Sequence, residues 1–76
     1  MLFYELKDYA LLLPDSPGVY RFYNSQHELI YVGKAKSLKK RVSSYFNKSS
    51  GLNRKTLKLV SEINHIEYTV ANTEFD

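Results

Sequence analysis

Residues 18–33 read GVYRFYNSQHELIYVG, and the fold turns on how this stretch divides. Gly18–Asn24 is rich in β-branched and aromatic residues, the composition of a pleated, half-buried strand. Ser25–Glu28 (SQHE) is polar and turn-like. Leu29–Gly33 (LIYVG) is a second short strand that stops at a glycine. Two strands joined by a short polar loop pair most simply as an antiparallel hairpin. Upstream, Pro14–Gly18 (PDSPG) is a turn cluster. Leu6–Leu13 before it fits a short helical lead-in with Leu6, Ala10 and Leu13 as its apolar residues.

Downstream, Ser37 is suited to cap a helix. From there Leu38, Val42, Tyr45 and Phe46 fall on one stripe at i, i+4, i+7 and i+8. Lys39, Lys40, Ser43 and Asn47 face away. Arg41 lies at the margin of the stripe, one turn before Tyr45, where a long side chain can pack its stem and still reach a ligand. Asn47–Asn53 is a loop. A second helix runs roughly from Asn53 to Asn64, with Thr56, Leu59, Val60 and Ile63 inward and Arg54, Lys55, Lys58 and Ser61 outward. His65–Val70 (HIEYTV) alternates as a half-buried third strand, with Ile66, Tyr68 and Val70 on one face and His65, Glu67 and Thr69 on the other. The order predicts an α+β domain. The chain closes on VANTEFD, where Asn72 or Thr73 followed by acids has the form of a helix start. The expectation is one domain over residues 1–76, truncated at its C-terminus, with a final helix that starts near residue 73 and continues beyond the chain.

A chain of 76 residues fits a single small domain. Such a domain buries roughly 60–65% of the surface its unfolded form exposes, so its stability is marginal. There are no cysteines, which excludes disulfides and thiolate metal sites. The N-terminus has acidic residues early and no long apolar run, so it is neither a signal peptide nor a membrane span, and the expected setting is cytoplasmic. Net charge is only +3, but its distribution is uneven. Of eleven basic residues, nine lie between Lys34 and Lys58: Lys34, Lys36, Lys39, Lys40, Arg41, Lys48, Arg54, Lys55 and Lys58. None of the eight acidic residues falls there. One-sided clustering of this kind points to a polyanion; two solvated basic helix faces are the plainer alternative.

Two triplets carry more specific information. Gly18-Val19-Tyr20 and Tyr31-Val32-Gly33 are near mirror images on the two hairpin strands, and Lys34 and Arg41 follow. The sequence resembles the GIY-YIG nuclease superfamily, with valine in place of both isoleucines. More narrowly, LPDSPGVYRFYN (Leu13–Asn24) and IYVGKAKSLKKRVSSYF (Ile30–Phe46) resemble the N-terminal endonuclease domain of the UvrC family, the incision subunits of bacterial nucleotide excision repair. The likeness covers nearly the whole chain, including RKTLKLVSEI (Arg54–Ile63) and IEYTV (Ile66–Val70).

The resemblance implies a three-stranded antiparallel sheet flanked by helices, and a metal-dependent endonuclease acting on the 3′ side of a lesion. It implies that Tyr20 and Tyr31 face the active site, that Lys34 and Arg41 supply positive charge, and that Tyr45 is an accessory group. It also implies one divalent cation, magnesium or manganese, on a glutamate of the helix after the third strand. Aligning NTEFD with the family places Glu74 at the first acid of that helix. The metal ligand falls about seven residues later, beyond Asp76, and Glu74 does not replace it, because seven residues are two turns or about 10 Å. The fragment is therefore expected to hold no metal and to be inactive by itself. The implied partners are damaged double-stranded DNA and, through regions outside these residues, UvrB and the UvrA–UvrB damage-recognition system; no membrane is implied.

The chemistry of this residue set is sound on independent grounds. Phosphodiester hydrolysis needs a deprotonated water, a charge clamp and a stabilised leaving oxygen. The planar fork of Arg41 matches two phosphate oxygens. A carboxylate-bound magnesium acts as a Lewis acid on the leaving oxygen. Tyrosine as a base is less obvious, since its ordinary pKa is about 10, but neighbouring cations favour the phenolate. Which tyrosine takes the proton stays open; Tyr31 is nearest in sequence to Lys34. Lys36, Lys39, Lys40, Arg54, Lys55 and Lys58 are expected to grip DNA phosphates, each replaceable. Gly18 and Gly33 are expected to give backbone freedom and close approach. His27, in a turn, and His65, opening a strand, are weaker general-base candidates. The alternatives are another nuclease of the superfamily, homing or junction-processing, and a non-catalytic DNA-binding module.

Overall fold

Gly18–Tyr23 (β1) is the middle strand of a three-stranded antiparallel sheet, with Leu29–Ala35 (β2) on one side and His65–Val70 (β3) on the other. The helices are Phe3–Leu11 (α1), Leu38–Ser44 (α2) and Arg54–Glu62 (α3). The computed structural model describes residues 3–47 and 53–71, and side chains from residue 5 onward. Most of the expected 47–53 loop, the expected helix start near residue 73 and Glu74 lie outside the described residues.

The register sorts the side chains onto two faces. Tyr20 pairs with Gly33 and Tyr68, Phe22 with Tyr31 and Ile66, and Gly18 with Ala35 and Val70. Directly paired residues share a face, so one face carries Tyr20, Phe22, Tyr31, Ala35 and Ile66. All the buried sheet residues are on it, packed with Leu6, Ala10 and Leu13, with Leu38, Val42 and Phe46, and with Val60 and Ile63. The result is two layers, helices over one side of a sheet. The other face, with Val19, Arg21, Val32, Lys34 and Glu67, contains no buried residue.

Three boundaries and the burial of one strand differ from the sequence reading. α1 begins at Phe3, so Leu13 lies in the turn after it. β2 continues past Gly33, because Lys34 and Ala35 find ladder partners in Val19 and Gly18. α2 stops at Ser44; Tyr45 and Phe46 follow in a tightened turn, their N–H groups donating to the carbonyls of Val42 and Ser43 at 3.1 and 3.0 Å. In β3 only Ile66 is buried, and Tyr68 and Val70 are 38% and 45% exposed. The described helices bury β1 and Ile66 and leave these two residues partly open.

α2 is fixed at its N-terminus by a distant loop. The Ser37 hydroxyl accepts from the Lys40 N–H at 3.2 Å and donates to Asp15. The N–H groups of Leu38 and Lys39 donate to the carbonyls of Ser16 and Pro14 at 2.9 and 3.1 Å. Donors that a helix start leaves unpaired are thus taken up by the PDSP turn. The same turn reaches β3, for Pro17 accepts from the Ala71 N–H at 2.9 Å.

Both strand glycines are close-approach positions. A Cβ on Gly18 would strike the Thr69 carbonyl and Leu38. A Cβ on Gly33 would fall inside the ring and hydroxyl of Tyr20, which lies across it. An aromatic ring covering a glycine on an edge strand is a known way to pin register. Gly33→Ala is therefore expected to cost about 1–3 kcal/mol by overpacking, or a fall in Tm of roughly 5–20 °C for a domain this small. A thermal melt with Tm unchanged would show that the ring of Tyr20 does not occupy this space.

Candidate active site

The site grows out of the core at Tyr20. Its ring is fully buried, and alternation along β1 places Phe22 beside it, ring centroids 5.2 Å apart. A buried phenol must find a partner for its hydroxyl. Tyr20 finds two: its Oη is 3.0 Å from Tyr45 Oη, and it accepts from Arg41 Nε at 3.4 Å. Tyr31, opposite Phe22, completes a box of four rings. It lies 6.1 Å from Tyr20 and 6.4 Å from Tyr45, and it stacks on Phe22 at 6.0 Å and 27°. Phe22 meets Tyr45 edge-on at 5.1 Å. Tyr31 is 37% exposed, so of the two strand tyrosines it is the one that meets solvent.

α2 delivers Arg41 and Tyr45 because Leu38, Val42 and Phe46 are buried beneath them. Arg41 is held above its ordinary pKa by its hydrogen bond to Tyr20, with further help from the charges Tyr20 and Tyr45 would carry. Its fork spends Nε on Tyr20, which leaves the terminal nitrogens for a bidentate phosphate contact. Tyr45 is held well above the usual phenol range, first by burial and then by the hydroxyls of Tyr20 and Tyr31. At neutral pH it keeps its proton, so its hydroxyl can donate.

Beside Arg41 opens a cleft of about 420 Å³ that is also lined by Lys34, Lys36 and Lys40, with Ser37 and Ser44. Lys34 enters it from an unexpected side. Alternation from Gly33 puts Lys34 on the face opposite Tyr31, so it joins Arg41 around the edge strand and does not sit beside the tyrosine. Lys55 lies with Tyr31 and Tyr45 around a second, smaller pocket. Lys39, Arg54 and Lys58 are exposed but line neither concavity. His65 pairs with Glu67 at 3.2 Å, on the sheet face away from the helices, and its ring is 6.1 Å from that of His27.

Among the described residues no cluster of His, Cys, Asp or Glu could hold a metal ion. The site consists of phenols and cations, whereas magnesium requires carboxylate or carbonyl oxygen. These residues alone do not fit a divalent cation. Sequence reasoning missed Phe22, although it lies two residues from Tyr20 on the same strand face, and it missed the serines of the cleft.

A family model described as a UvrC-like GIY-YIG domain matches residues 16–76. The chain is 58% identical over 64 residues to the UvrABC system protein C of Cytophaga hutchinsonii, covering 84% of this chain and 11% of that protein. It is 52% identical over 70 residues to the same protein of Mycoplasma capricolum subsp. capricolum, covering 92% and 12%. The chain thus spans about a tenth of the length of these curated relatives. Among solved structures, the GIY-YIG N-terminal endonuclease domain of UvrC from Thermotoga maritima, bound to magnesium as its catalytic divalent cation, matches with a TM-score of 0.78 and 36% identity. That match covers 92% of this chain and 74% of the other.

The Tyr45 shift has a measurable sign. Unfolded tyrosines ionise near pH 10, and folded Tyr45 ionises later. In the interval the native state binds more protons than the unfolded state, so stability falls as pH rises. Tyr9, raised chiefly by burial, acts in the same direction. Of seven tyrosines, Tyr45 is expected among the late ones in a tyrosinate absorbance titration. Tyr45→Phe should remove one late proton and soften the alkaline loss of stability; a late phase unchanged in that variant would contradict the assignment.

Proposed function

Because the chain belongs to the family of UvrC-like GIY-YIG domains, we propose that it is the DNA endonuclease domain of an excision-repair incision subunit, hydrolysing a phosphodiester on the 3′ side of a lesion. The observation that carries this reading is the Tyr20-anchored pair of Arg41 and Tyr45 at the wall of a lysine-lined cleft. A module that only gripped DNA would need the cations and not the buried hydroxyl link behind them.

Exposure and bonding support the following roles. Arg41 clamps non-bridging oxygens of the scissile phosphate, where charge develops during attack. Tyr31, the solvent-facing strand tyrosine, orients the attacking water and takes its proton. Tyr20 is fully buried, so it acts by fixing Arg41 and Tyr45. Tyr45 keeps its proton and donates to the phosphate. Lys34, Lys36 and Lys40 neutralise the backbone on either side, and Lys39, Arg54 and Lys58 contribute at longer range.

A divalent cation, magnesium or manganese, would supply Lewis-acid stabilisation of the leaving oxygen; the described residues offer no carboxylate cluster to hold it. The partners are damaged duplex DNA and, through other regions of a longer protein, UvrB within the UvrA–UvrB system. No helix among the described residues is long and apolar enough to cross a membrane, and a cytoplasmic setting suits this role.

In a protein that carries this domain together with the metal-binding acid, Arg41→Ala is expected to lower 3′ incision by a hundredfold or more. DNA affinity should fall less than about tenfold, since one phosphate contact among several is lost. Near wild-type incision by that variant would remove Arg41 from the chemistry. Residues 1–76 alone are expected to bind DNA weakly and to give no magnesium-dependent nicking; clear nicking would place the acid within the chain.

A further inference from the structure

The cationic cleft ends at Arg41 and Ser44, and a second concavity of about 370 Å³ begins at the next residue, Tyr45. Its chemistry is different. Tyr31 and Tyr45 form walls, Ile30 and Leu59 an aliphatic floor, and Lys55 and Thr56 the rim. We propose that this pocket takes up one nucleoside of the cleaved strand, unstacked from its neighbours, beside the phosphate held by Arg41. The proposal rests on the nuclease reading above and adds to it a site for the base.

Three observations support it. First, Tyr31 has one ring face stacked on Phe22, yet it remains 37% exposed and lines the pocket. A base entering there would continue the stack. Second, the pocket depends on an irregularity of the strand. The β1–β2 register passes from Phe22↔Tyr31 to Tyr23↔Leu29, which leaves Ile30 as an extra residue. Ile30 packs against the core on the helix side, where strict alternation from Tyr31 would turn it to the open face. Bulges beside active sites commonly re-aim a side chain in this way, and here the change builds the pocket floor. Third, the volume is at the small end of the range for small-ligand pockets, about 300–1,000 Å³, and suits a single nucleoside. Lys55 at the rim can meet the adjoining phosphate, so the strand would stay neutralised from the lysine cleft to the pocket.

The test compares two short single strands of equal length and charge, one carrying bases and one fully abasic, titrated into the isotope-labelled chain at low salt. Both should shift the signals of Lys36, Lys40 and Arg41. Only the base-carrying strand should shift Ile30, Thr56 and Leu59, and it should bind roughly 5–100-fold tighter, the range for stacking one base. Thr56→Phe, which fills the pocket from its rim, should abolish the difference and leave abasic affinity unchanged. Equal affinities and equal shifts for the two strands in the wild-type chain would overturn the pocket and leave the phosphate-cleft reading standing. Binding of neither strand would overturn both. The wild-type comparison decides the matter even if Thr56→Phe does not fold.

Discussion

A phenol buried across a glycine organises this domain. Tyr20 can be fully buried only because Gly33 offers no side chain beneath its ring, and once buried its hydroxyl has no access to bulk water. The hydroxyl is satisfied by Tyr45 and Arg41, so the requirement that buried polar groups be paired is met by the residues that would handle phosphate. Core and site therefore share a member. Their stability and geometry are coupled, because the Tyr20 oxygen would be stranded only if both Tyr45 and Arg41 moved away, a cost of about 1–3 kcal/mol.

The helix that brings Arg41 to this position has only seven residues, too few to be stable by itself in water. Its stability comes from two outside sources. Leu38, Val42 and Phe46 bury one side of it, and the carbonyls of Pro14 and Ser16 accept its first amide protons. The glycine at position 18 lets Leu38 sit directly against the sheet. The run from Leu13 to Gly18 thus serves as the socket of a helix some twenty residues later.

Much of this is legible in the sequence where it depends on near neighbours. The hairpin, the Ser37 cap, the Leu38–Val42–Phe46 stripe and the marginal position of Arg41 all follow from spacing. The grouping of Tyr20, Tyr31 and Tyr45 rests instead on the resemblance to the GIY-YIG family, and the structure brings the three ring centroids within 6.4 Å of one another. Features set by distant partners are not legible. Lys34 and Ala35 join β2 because of what lies opposite them. No residue type marks Ile30 as a bulge, so alternation misassigns its face, and counting from Gly33 reveals that Lys34 faces away from Tyr31 only once the strand is known to continue. Tyr68 and Val70 alternate like core residues, yet they are exposed. Charge clustering does not distinguish the basic residues that line a concavity from Lys39, Arg54 and Lys58, which line neither.

The hydrogen bond from Ala71 to Pro17 has a mechanical meaning. It ties the end of β3 to the same four-residue turn that seats α2. Tension on the chain just past Ala71 would load that bond first, then Ser16 and Pro14, and through them the first turn of the helix that carries Arg41. The turn works as a lever with a short arm. The path from the end of β3 to the first turn of α2 runs through backbone amides and carbonyls. A load applied at one end of the sheet would thus reach the start of the helix that carries Arg41.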